Sequence, residues 1–190
     1  MDKILYNLKN VHYALTTVND DGTLSFGEVK RFMGTTELTI ELEQSSETYY
    51  SEGMPYATIT ASAGYKGELT VHNLSEDFEV EVLGLRRDAK GAIIENINTQ
   101  AKPIALLFEI DGDEKGYRVV IYRMKLTRPK LEYKTNTSKV EVQSLKMSYV
   151  GLANEKGDIR VKMARTEDNK NIYDNWFKSV YVETATTPGA

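Results

Sequence analysis

Asp111, Asp113 and Glu114 form the closest set of side chains able to do chemistry. Paired carboxylates can serve as general acid and base or hold a divalent cation. Here they sit beside Gly112 and Gly116, which is the composition of a hairpin turn, and the glutamate that closes a twelve-residue calcium loop is lacking. His12 and His72 are the only histidines, and neither a Gly-x-Ser-x-Gly elbow nor a cysteine accompanies them. Without those groups an activated nucleophile has no visible seat. Gly-x-Gly-x-x-Gly and Walker-type loops are lacking as well, so nothing is shaped to cradle a nucleotide phosphate. The expectation is a protein that is not an enzyme, with no catalytic residue, no metal and no cofactor.

What must position any other site is a chain of 190 residues, 41% hydrophobic and 27% charged. That is one globular domain with a real core, residues 1–190, and too little for two large ones. The formal net charge is −4, without the basic excess that would neutralise many phosphates, so tight nucleic-acid binding is disfavoured. The absence of cysteine excludes a disulfide framework and thiolate-bound zinc. Residues 1–8 lack the apolar run of a secretory signal, which predicts a start in the cytoplasm, and no apolar stretch is long enough for a membrane-spanning helix.

Period-two alternation dominates, and it puts alternate side chains on opposite faces of a strand. Ile104, Leu106, Phe108 and Ile110 share one face. Val120, Tyr122, Met124 and Leu126 share another, opposite Val119, Ile121, Arg123 and Lys125, with the turn at 111–116 completing an antiparallel hairpin. Further half-exposed strands are expected over 38–42, 57–63 and 67–73. Val140 and Val142 keep one register and Leu145, Met147 and Tyr149 another, which predicts a bulge near Gln143 and Ser144. A turn at 153–158 and the alternation of Ile159, Val161 and Met163 suggest a second hairpin.

Ser75 can cap a helix over 75–83, with Glu76 and Asp77 at its positive end and Gly84 to stop it. The alternation of Phe78, Val80 and Val82 fits a strand over the same residues. A second short helix is expected over 171–177. Two connections are long, 44–56 and 128–137. The first carries Tyr49, Tyr50, Met54 and Tyr56 among polar residues. Tyrosine is enriched both in strands and at interfaces, and a loop has no sheet to cover it, so this loop reads as an interface. Residues 183–190 have the composition of a flexible tail.

Leu83-Gly84, Asp88, Gly91 and Pro103-x-Ala105-x-x-Phe108, followed by Tyr122-Arg123, the 129–137 connection, Gln143, Leu145, Asn175-Trp176-Phe177 and Val180, resemble the major tail proteins of long, flexible-tailed bacteriophages. The likeness spans 80–180 and rests on order and spacing. It implies a mainly β fold, an antiparallel β-sandwich or partial barrel flanked by one short helix. It also implies six-copy rings stacked into the virion's tail tube, assembled from the host cytoplasm, with a tape measure protein and a tail terminator as partners and double-stranded DNA in transit. On that reading Tyr49, Tyr50, Met54 and Tyr56 contact the neighbouring ring, and residues 1–10 and the tail are arms between subunits. Glu37, Thr39, Glu41 and Glu43 either line the lumen, where acids repel the passing duplex, or form a solvated outer face.

Two other kinds of protein fit the same pattern. A tail terminator or the inner tube of a contractile tail or type VI secretion system would differ only in assembly. A carbohydrate-binding β-sandwich would present aromatics as a flat platform, whereas Trp176 lies among hydrophobics that suggest core packing.

Overall fold

The computed structural model describes residues 6–111, 116–132 and 144–183. Along the chain these form β1 (Tyr6–Val18), β2 (Leu24–Phe26), β3 (Lys30–Arg31), β4 (Thr35–Leu38), β5 (Glu41–Ser51), β6 (Met54–Val71), α1 (Glu76–Glu81), β7 (Arg86–Arg87), β8 (Ile93–Ile94), β9 (Ile104–Asp111), β10 (Arg118–Leu126), β11 (Leu145–Gly151), β12 (Arg160–Met163) and α2 (Lys170–Asp174). The fold is mainly β and antiparallel, as the alternation predicts.

One sheet runs β2-β1-β9-β10-β11-β6-β4, with β3 also on β1, β12 also on β10 and β5 also on β6. Although β3 and β4 lie towards opposite ends of this path, only residues 32–34 join them. Phe32 N–H donates to the Val11 carbonyl (2.8 Å) on one side, and the Gly34 carbonyl accepts from His72 N–H (2.9 Å) on the other. Three residues reach about 10 Å, so the sheet has to curl round to bring its ends together.

Inside the curl, Val11 and Tyr13 of β1 meet Leu69 and Val71 of β6, Ile104, Leu106 and Phe108 of β9, and Met147 and Tyr149 of β11. α1 plugs this core. The Ser75 hydroxyl accepts from Phe78 N–H (3.2 Å), and Phe78 stacks on Phe32 at 4.4 Å and meets Tyr13 edge-on at 5.0 Å. Gly84, at φ +79°, ends the turn where a Cβ would stand 2.7 Å from the Gln100 carbonyl. Of the two patterns open for 75–83, the helical one is correct.

The outer face of β9 and β10 is covered too. Ala105, Leu107, Val120 and Tyr122 lie under Trp176, Phe177, Val180 and Tyr181 from the segment after α2. Arg118 clamps this segment down: its guanidinium sits 4.1 Å from the centre of the Tyr173 ring, donates to the Tyr173 carbonyl and pairs with Glu109 at 3.3 Å.

Several expectations are corrected. The register of β10 against β9 shifts between Ile121 and Met124. Val119, Ile121, Met124 and Leu126 therefore share the inner core, while Val120 and Tyr122 face outward. β11 and β12 do not form a hairpin. They follow each other along the same edge of β10, β11 opposite Met124–Leu126 and β12 opposite Arg118–Ile121, with the 153–158 turn as an excursion between them. Residues 6–10 belong to β1, paired with β9, and so are part of the sheet. Residues 1–5, 112–115, 133–143 and 184–190 lie outside the described set, and with them most of the expected turn at 111–116, bulge and tail.

Tyr149 ties β11 to the β4–β5 step, its hydroxyl donating to the Thr39 carbonyl at 2.7 Å. Burial pushes the phenols of Tyr149 and Tyr122 up to about 12. In the unfolded chain both ionise near pH 10, so their contribution to stability is complete below about pH 10 and is lost as pH rises towards 12. Denaturant midpoints are expected to fall steeply between pH 10 and 12, and less steeply in Tyr149→Phe.

Candidate assembly surface

Glu41–Glu43 begin β5 within the sheet, opposite Lys66–Gly64 of β6. There the two strands leave it. The register skips Ala63, and Gly64 sits at φ +139° with its would-be Cβ 2.3 Å from the Gly151 carbonyl, so only glycine fits the exit. From Gln44↔Ser62 to Ser51↔Met54 the strands pair with each other alone. Each extends about 25 Å beyond the sheet at the usual rise per residue. Glu52 (φ 53°) and Gly53 (φ 78°) close the tip, the two positive values that a type I′ turn requires.

Every side chain from 41 to 63 is exposed, so the ribbon has no core. One face carries a hydroxyl row, with Ser46 and Thr60 at 3.4 Å and Thr48 and Thr58 at 3.1 Å. On the other, the Tyr49 hydroxyl donates to Glu47 at 3.1 Å, and Ile59 stands 60% exposed. Around the tip Tyr50, Met54 and Tyr56 are 69%, 68% and 78% exposed. A lone two-stranded hairpin is marginal in water, its outer backbone edges are unpaired, and exposed apolar groups of this size mark contact sites. From its root at Glu41 to Ala63 this segment carries Glu41, Glu43, Glu47 and Glu52 and no basic residue. Those four acids equal the whole chain's formal net charge of −4, so the rest of the chain is balanced.

The structure thus brings Tyr49, Tyr50, Met54 and Tyr56 together, as expected, but on paired strands; the 44–56 loop is corrected to a hairpin. The expected 38–42 strand is split at Thr39 and Ile40. Glu37, Glu41 and Glu43 pair with Thr70, Lys66 and Gly64, which alternate with the core residues Leu69 and Val71, so the three acids share the sheet face turned away from the core. Thr39 is tied up in the break: its hydroxyl accepts from Glu68 N–H at 2.8 Å. The acid face is mixed in sign, since Lys66 opposes Glu41 and Lys146 lies 3.9 Å from Glu68.

The groups that could do chemistry stay apart. His12 stacks on Phe177 at 4.7 Å and His72 lies 3.4 Å from Ser144. Asp113 and Glu114 lie outside the described residues. Among those that are described, no three His, Cys, Asp or Glu side chains converge, and no helix is long and apolar enough to cross a membrane. Trp176 is 1% exposed, which removes the only tryptophan from any sugar platform.

Sequence reading missed a second surface, the free edge of β12. Among the described residues β12 pairs with β10 alone. Arg160 and Lys162 lie on one face of it, exposed and without an ion pair among the described residues, resting on the rings of Tyr65 (5.6 Å) and Tyr117 (4.8 Å). Their spacing of two in a strand was the available signal. No protein-family model matches this chain, and no curated protein matches it.

Proposed function

We propose that this chain is a structural subunit that polymerises with copies of itself, the tail tube protein of a long non-contractile bacteriophage tail. Six-copy rings stack into a tube that carries the genome into the host, with the tape measure protein inside it and a terminator at its end. The observation that carries the proposal is the arm, a ribbon exposed on both faces and both edges that projects from an otherwise well-packed core. Such a ribbon gains its stability when other chains cover it. Tyr49, Tyr50, Met54 and Tyr56 are its apolar anchors towards the next ring. Glu37, Thr39, Glu41 and Glu43 face the lumen, where a wall without a basic excess lets duplex DNA pass instead of gripping its phosphates.

Sedimentation velocity and negative-stain microscopy of the purified protein across concentration test this reading. Long hollow tubes are the expected result. Single rings that never stack would make it a terminator, and a monomer at every concentration would overturn polymerisation altogether.

A further inference from the structure

We infer that β5 of the acidic arm of one copy docks as an added strand on the free edge of β12 in the next copy, setting Glu43 opposite Lys162 and Glu47 diagonally across from Arg160. The inference rests on the reading that copies assemble through the arm, and it names the surface that receives it. Alternation along β5 places Glu41, Glu43 and Glu47 on one face, and all the acids of the two arm strands are on β5, none on residues 54–64 of β6. The outer edge of β5 is unpaired among the described residues.

A matching acceptor needs an unpaired strand edge with two neighbouring cations on one face: Glu43 and Glu47 stand four residues apart, so one meets a cation directly and the other reaches the second on the diagonal. β3 does not qualify, because Lys30 is held by Glu81 at 2.5 Å. Neither does β7, because Arg87 is paired with Glu76 and Asp77. Among the described edge strands β12 alone carries two cations on one face with no acidic partner. Added strands gain backbone hydrogen bonds, and opposite charges facing each other across the new pair set the register. Donor and acceptor are different surfaces of the same molecule, so the contact is head-to-tail. It can repeat from copy to copy, round a ring or along a filament.

Two charge-reversed proteins test the assignment: Glu43→Lys with Glu47→Lys on the arm, and Arg160→Glu with Lys162→Glu on β12. Each alone is expected to need at least tenfold more protein to assemble in sedimentation velocity, with circular dichroism unchanged. Mixed one to one they are expected to assemble again, because each then offers the charge the other lacks. If the β12 reversal assembles like the parent, or mixing restores nothing, the docking site is wrong while self-assembly stands, and the arm serves another acceptor or another protein. If the unmodified protein stays monomeric, both readings fall. Should a reversal unfold the chain, Arg160→Gln with Lys162→Gln replaces it, and assembly at the parent concentration overturns the inference.

Discussion

A protein in which an Asn-Gly turn joins Glu43 directly to Gly64, deleting residues 44–63, is expected to fold as before and to form no tubes or rings. The cut falls where the arm leaves the sheet, and Glu43 and Gly64 already face each other across the strands, as a two-residue turn requires. No side chain in the deleted segment is buried, so the thermal midpoint should stay within a few degrees of the parent. Assembly should fail at concentrations tenfold or more above those at which the parent polymerises, a loss of about 1.4 kcal/mol or more per contact. Size-exclusion chromatography with light scattering and a thermal melt measure the two effects separately. Tubes formed by the shortened chain would show that the arm is dispensable for assembly.

The largest effect on folding is expected at Gly67, where β6 is gripped between its neighbours. A Cβ there would stand 2.0 Å from the Thr39 carbonyl oxygen and 3.0 Å from the Tyr149 ring, and the closer obstacle is backbone that cannot rotate aside. Gly67→Ala must push the β4–β5 step away from β6 and strain the hydrogen bond from the Tyr149 hydroxyl to Thr39. Overpacking of this kind costs about 3 kcal/mol, and a chain of this size loses roughly 6–12 °C in melting temperature for it. Gly27→Ala is the control, since no atom lies closer than 3.7 Å to its added methyl. A change within about 0.5 kcal/mol is expected there. Equal midpoints for the two variants would show that the β6 contact is looser than described.

Where side chains separate into a buried and an exposed face, the sequence was legible. β9 carries Ile104, Leu106 and Phe108 at strict alternation, whereas α1 is marked by Ser75 at one end and Gly84 at the other but shares its residues with a strand pattern that only the structure removes. Alternation over 57–63 marks one strand of the arm, which lies within β6, but 44–56 reads as a loop because the residues of β5 have no buried face to report. The arm's local chemistry was still visible, with Thr48, Tyr49 and Tyr50 before Glu52-Gly53 and Thr58, Ile59 and Thr60 after it. The face switch in β10 was hidden because Tyr122, Arg123 and Met124 read equally well in either register, and only pairing with β9 reveals the shift. The β12 edge was hidden for another reason: an unpaired edge depends on which strands are neighbours, and no window of sequence contains that. Thus the tyrosines of the candidate surface could be named from sequence, whereas the element carrying them and the surface proposed to receive it could not.

The pairing of β1 with β9 also sets an order of events on the ribosome. About 90 residues must be added after β1 emerges before its partner exists, roughly 5–20 s at ordinary elongation rates. The arm needs no such wait, because its hairpin closes on itself. Arg160 and Lys162 come much later, so a nascent chain displays its reaching strand long before it has the edge proposed to receive one.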